Sequence, residues 1–520
     1  MRLMLKVFAV IKLVLVIVHP SAHALSRDEF PPDFVFGASS SAYQVEGAAN
    51  EDGRKPSIWD TFAHAGNGNM YEGDGDVACD QYHKYKVCDC DTIVEDVQLM
   101  ANMGLEAYRF SISWSRLIPD GRGQVNQKGV QYYNNLINEL ISHGIQPHVT
   151  LHHWDLPQTL EDEYGGWVSR RIVRDFTTYA DVCFREFGDR VQYWTTANEA
   201  NIFAMEGYDL GEFAPNRCSP SVANCSRGNS STEPYLVAHH MLLAHASAAR
   251  LYRKKYQAMQ HGLIGFNLLL FGLLPRTNST EDVRATERFQ DFTMGWFMNP
   301  FIFGGYPDIM KKKAGSRLPF FTQKESNLVK GSIDFLGINF YYSLIVKNSP
   351  SRLQKENRDY IADISVEIDR FFPNGTSTDE VPITPKIFLA ALDSLKNSYG
   401  DIPIYIHENG QQTPHNSSLD DWPRVKYLHE YIGSLADGLR SGLNVKGYFV
   451  WSFLDVLELL TGYESSFGLY YVDMNDPSLR RIPKVSAEWY SNFLKRKPID
   501  PKISKEIEKN ANVLSQYLTA

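Results

Sequence analysis

Trp194-Thr195-Thr196-Ala197-Asn198-Glu199 and Ile404-Tyr405-Ile406-His407-Glu408-Asn409-Gly410 are short runs of apolar, aromatic and β-branched residues, and each delivers a glutamate at its C-terminal end. Such runs read as buried strands. Others of the same character recur, so strands are expected at 34–38, 107–113, 145–151, 191–196, 263–268, 335–342, 404–408 and 447–452. Amphipathic stretches separate them, and Val130, Tyr133, Ile137, Leu140 and Ile141 form the clearest helical stripe. Strands alternating with helices imply a parallel sheet, and eight is the number that closes a (β/α)8 barrel.

The remaining composition fits one such unit. The chain has 520 residues, 43% hydrophobic and 13% aromatic, enough for a large core. Length alone would allow two to four domains, but no low-complexity linker or composition shift divides it. A single α/β TIM barrel with long βα loops over 25–498 is expected, with a C-terminal extension at 499–520. The net charge of −9 and a pI near 5.9 argue against a basic surface for nucleic acid or anionic membrane.

Residues 1–24 read as a signal peptide: Arg2 and Lys6, an apolar run broken by Lys12, then Ala22-His23-Ala24 as the small-x-small site. The apolar run is about 12 residues, too short for a bilayer that needs roughly 20. Sequons at Asn224, Asn229, Asn278, Asn374 and Asn416 agree with a secretory route to the extracellular space (the apoplast) or a vacuole. Of the six cysteines, Cys218 and Cys225 bracket a short polar loop, a spacing that favours a local disulfide in an oxidising compartment. Cys88-x-Cys90 lacks the second pair of ligands that a metal site needs.

Asn-Glu alone carries little, since it recurs at Asn50-Glu51 and on the solvated helix face at Asn138-Glu139. Asn198-Glu199 stands out because it follows a strand and has a second strand-end glutamate, Glu408, in the same barrel. Strand C-terminal ends share one mouth, so two carboxylates meet there. His152-His153-Trp154-Asp155 closes a third strand; as a zinc site it lacks the i, i+4 spacing and a third ligand. Gln44 follows the first strand, and Trp451 and Glu458 follow the last. Singly, each is more often structural. Jointly they offer polar groups for vicinal hydroxyls and an aromatic face for the C–H side of a sugar ring. Paired carboxylates are the equipment for cleaving a glycosidic bond, one acid and one nucleophile or base.

These motifs, in this order from about residue 30 to residue 497, resemble glycoside hydrolase family 1 and within it the plant β-glucosidases. The resemblance implies a retaining enzyme that hydrolyses terminal β-D-glucosyl residues of small-molecule β-glucosides without metal or cofactor. Glu199 matches the acid/base of the family's Thr-Phe/Ile-Asn-Glu-Pro motif, and Glu408 the nucleophile of Thr/His-Glu-Asn-Gly. By the same matching, Gln44, His153, Asn198, Tyr341, Trp451, Glu458, Leu459 and Phe467 would bind substrate, Arg109 and Tyr341 would contact the nucleophile, and Cys218–Cys225 would be a loop disulfide. Retaining geometry implies carboxyls roughly 5 Å apart, with repulsion holding Glu199 protonated and Arg109 keeping Glu408 ionised.

Four positions depart from the family pattern. Ala200 stands where a proline is usual, Leu459 where most members carry tryptophan, and Lys386 where many place an aromatic that faces the aglycone. Residues 87–94 form an apparent insertion carrying Cys88 and Cys90. The change at Leu459 resembles a plant subgroup that includes acyl-glucose-dependent glucosyltransferases acting on flavonoids or anthocyanins, the alternative reading. A thioglucosidase is disfavoured because Glu199 is not replaced by glutamine. A non-catalytic sugar-binding barrel is disfavoured because both carboxylates are intact.

Overall fold

Eight parallel strands close on themselves: β1 (Val35–Ser39), β2 (Ala107–Ser111), β3 (Gln146–Thr150), β4 (Tyr193–Thr195), β5 (Leu263–Pro275), β6 (Phe335–Asn348), β7 (Ile404–Asn409) and β8 (Val445–Trp451). Each pairs with its neighbours in sequence, and Val35 to Ser39 of β1 pair with Gly447 to Trp451 of β8, which seals the ring. Helices lie between the strands, giving the (β/α)8 barrel. The structure is a computed structural model and describes residues 25–67, 73–85, 96–350, 358–373, 380–415, 417–459 and 461–497. The 1–24 leader, the 87–94 insertion with its two cysteines, Asn374, Asn416 and the 499–520 extension lie outside the described residues.

The helical stripe folds as helix Gln127–Ser142, where Val130, Tyr133, Ile137 and Leu140 are buried but Ile141 is exposed. Tyr132 and Leu136 complete the inward face instead. Two strands run past their expected ends. β5 and β6 continue to Pro275 and Asn348 because they go on pairing with each other, Gly272 opposite Ser343 and Pro275 opposite Val346. The outer part of β6 then gains an antiparallel partner, Val366–Arg370.

Below the mouth the barrel is filled with rings. Tyr193, Phe335, Tyr405 and Phe449 pack with the imidazoles of His148 and His407. Burial, then the charge of Arg109, lowers both imidazoles, His148 to about 3. The layer beneath the site therefore carries no charge at neutral pH.

The chain leaves β7 through Asn409-Gly410. A Cβ at Gly410 would lie 1.9 Å from the carbonyl oxygen of Trp451, so glycine is what lets the ends of β7 and β8 come together. That approach sets Glu408 beside Trp451. Gly410→Ala is expected to lower the free energy of unfolding by about 1–3 kcal/mol through overpacking. Urea denaturation checks this, and an unchanged midpoint would overturn the reading.

Candidate active site

Glu199 follows β4 at the head of helix Ala200–Met205, with its backbone in the left-handed region at φ 37° and ψ 52°. That conformation costs on the order of 1–3 kcal/mol for a residue bearing a side chain. Hydrogen bonds pin it: the Glu199 N–H donates to Asn267 Oδ1 at 2.9 Å, and its carbonyl accepts from the N–H groups of Ile202 at 3.0 Å and Phe203 at 2.9 Å. Ala200, the first helical residue, is fully buried.

Glu408 reaches the same space from β7. Its Oε1 accepts from Arg109 Nη1 at 2.6 Å and its Oε2 from the Tyr341 hydroxyl at 3.0 Å. Arg109 is 1% exposed. Its other arm, Nη2, donates to Asn198 Oδ1 at 2.6 Å. That oxygen also accepts from Asn339 Nδ2 at 3.2 Å, which turns the Asn198 nitrogen toward His153 Nε2, 3.0 Å away. Asn339 Nδ2 donates to Glu199 Oε1 at 2.8 Å.

The two carboxyls have unlike surroundings. Burial, and after it the charge of Glu408, pushes Glu199 up to about 8. Burial raises Glu408 too, but Arg109, Tyr341 and Asn339 pull it back. Ionisation of the pair therefore begins at Glu408. The repulsion expected from the sequence is present at Glu199 but ranks second to burial.

The pair opens into a cavity of about 310 Å³ bordered by Gln44, His153, Asn198, Tyr341, Trp451, Glu458, Leu459 and Phe467, while Arg109 sits behind Glu408. Gln44 accepts from the Ser41 hydroxyl at 2.6 Å and donates to the Leu457 carbonyl at 2.7 Å, tying the first strand to the loop that carries Glu458 and Leu459. The Trp451 indole donates to Glu458 at 3.3 Å and stacks near His153, with ring centres 6.0 Å apart. Burial pushes Glu458 up to about 8 despite that hydrogen bond. Phe467 stands edge-on to Tyr341.

Lys386 does not reach this cavity. It lies in the first turn of helix Pro385–Tyr399 and borders a separate cavity with Phe271 and Leu274. Cys218 and Cys225 are bonded, with Cα atoms 5.5 Å apart. Asn224, Asn229 and Asn278 are exposed.

The model of the family described as glycosyl hydrolase family 1 matches residues 26–499. The chain is 56% identical over 495 residues to Beta-glucosidase 11 of Arabidopsis thaliana, spanning 90% of this chain and 93% of that protein. It is 55% identical over 490 residues to Hydroxyisourate hydrolase of Glycine max, spanning 93% and 85% respectively. Among solved structures, a mutant rice β-glucosidase in a covalent complex with glucose matches with a TM-score of 0.85 at 45% identity, over 90% of this chain and 99% of that one.

No motif singles out Asn267, Asn339, Tyr342 or Arg370, yet all four stand at the site. Asn339 was within reach of sequence reasoning, because it precedes Tyr341 by two on one strand and alternation puts both on the same face. Its hydrogen bonds lower both carboxyls. Asn339→Ala is therefore expected to raise the titration of Glu199 and of Glu408, moving both limbs of the pH–activity profile upward. Carboxyl-carbon NMR of the pair measures it directly, and limbs that stay in place would remove Asn339 from this role.

Proposed function

The chain belongs to glycosyl hydrolase family 1, and on that premise we propose that it is a retaining β-glucosidase that releases terminal β-D-glucose from small-molecule glucosides. The observation that carries the reading is two buried carboxyls on one cavity in unlike settings, Glu408 bonded by Arg109 and Tyr341 and Glu199 by the Asn339 amide. Glu408 is the nucleophile: Arg109 and Tyr341 favour its anion and aim it into the cavity. Glu199 is the acid, protonated below about 8 because it is desolvated.

In the first step Glu408 attacks the anomeric carbon, and Glu199 gives its proton to the leaving oxygen. The glucosyl ester that forms cancels the charge on Glu408. The repulsive share of the Glu199 shift then disappears while the burial share stays, so Glu199 becomes a stronger acid and can take a proton from the incoming water. Asn198, fixed by Arg109 and His153, is suited to hold the sugar 2-hydroxyl, a contact that strengthens in the oxocarbenium-like transition state. Gln44, His153, Glu458, Trp451 and Phe467 supply the remaining polar and aromatic contacts to the glucose ring.

Hydrolysis is preferred to glucosyl transfer onto flavonoid or anthocyanin acceptors because the plant relatives are named as a β-glucosidase and a hydrolase. Identity near 55% does not by itself fix the substrate, since the soybean relative is named for a different one. Entry into the secretory pathway, with the apoplast or a vacuole as destination, is supported by the leader-like 1–24 segment, the exposed sequons and the disulfide.

Glu408→Ala is expected to cut kcat by more than about 10⁴-fold with the fold retained, and Glu199→Gln by about 10²–10⁴-fold for alkyl glucosides. The loss in Glu199→Gln shrinks for a leaving group that needs no proton, such as dinitrophenolate. In the unaltered protein kcat/KM falls as pH rises through about 8, where Glu199 loses its proton, and this limb vanishes in Glu199→Gln. NMR of the first-formed glucose gives the stereochemistry: the β-anomer is expected, and an α-anomer would overturn the retaining mechanism.

A further inference from the structure

One wall of the cavity is sheet rather than loop. Beyond the barrel, β6 pairs antiparallel with Val366–Arg370, and Arg370 lies opposite Leu344. Leu344 is three residues past Tyr341, so the backbone of Arg370 joins the wall roughly 10 Å farther out than the tyrosine that holds Glu408. The Arg370 side chain lies over the Tyr342 ring, 4.3 Å from guanidinium carbon to ring centre, and borders the cavity together with Leu459 and Gln412.

Arg370 is exposed, and among the described residues it makes no ion pair and no side-chain hydrogen bond. The acids next to it on the strand are engaged elsewhere, Asp369 with Arg276 and Glu367 with Lys347. Among the described residues bordering the cavity it is the one arginine or lysine. The cavity's acids do not neutralise it: Glu408 is matched by Arg109 behind it, and burial holds Glu199 and Glu458 protonated up to about 8. Stacking occupies the flat face of a guanidinium and leaves the N–H groups around its edge, a fork whose geometry matches a carboxylate.

We propose that Arg370 is a specificity-determining residue that selects β-glucosides whose aglycone carries a carboxylate. The inference rests on the β-glucosidase reading above. Glucose and the bond that breaks stay with Glu199 and Glu408 in the deeper part of the cavity, while Arg370 receives the charged end of the leaving portion above Tyr342.

The test compares kcat/KM for 4-carboxyphenyl β-glucoside with that for 4-carbamoylphenyl β-glucoside, which is nearly isosteric and uncharged. Taking the ratio within each protein cancels any general loss of activity. Arg370→Met is expected to lower the carboxylate-to-amide ratio by about five- to ten-fold, Arg370→Glu to lower it further, and Arg370→Lys to keep part of it. In the unaltered protein the ratio should also fall between about 0.02 and about 0.5 M NaCl, a readout that does not depend on any variant folding. A ratio that stays within about two-fold across the variants and across salt would overturn the inference and leave the β-glucosidase reading standing. Cleavage of neither glucoside by the unaltered protein would overturn that reading and the inference with it.

Discussion

The site is organised by a single buried cation. Arg109, almost wholly removed from water, can be accommodated only where its charge is matched. Its two arms engage Glu408 from β7 and Asn198 from the end of β4. Through Asn198 the constraint extends to His153 after β3 and Asn339 on β6. Side chains from five strands are thus set at a common level by the needs of one guanidinium. The neutral ring layer below gives it no alternative partner.

Chemical asymmetry between two identical side chains follows from this arrangement. Glu408 lies against the cation and a phenol; Glu199 lies against an amide and apolar walls, on a strained turn that Asn267 holds. Because burial is the largest cause of the upward shift at Glu199, that shift survives the loss of charge on the neighbouring carboxyl and falls only in part. Such a partial shift suits a group that must first give a proton and then accept one.

Much of this could be read in the sequence, for reasons that differ by residue. The strands show because both faces of a parallel barrel are buried, which leaves near-continuous apolar runs. Glu199 and Glu408 show because they terminate two of those runs. The overrun of β5 and β6 does not show, since Leu268 to Leu274 read the same inside a barrel or in an outer sheet. Val366–Arg370 alternates apolar with charged residues as a strand does, but five residues set between polar stretches are too short a run to stand out. The dominance of burial at Glu199 depends on walls contributed by several strands. Lys386 was placed by likeness to relatives, and the position of one helix decides otherwise.

The outward continuation of β5 and β6, with its antiparallel edge strand, also bears on how the cavity recognises what enters it. Walls made of loops must give up conformational freedom each time they close on a guest, and that loss is subtracted from the binding free energy. A wall already locked by a hydrogen-bond ladder made its loss once, when the chain folded. At this wall the cavity meets Tyr341 and Tyr342 of β6 and Arg370 of the edge strand, all three carried on backbone that the ladder holds in place. Exchanging one of those residues alters preference without loosening the enclosure around it.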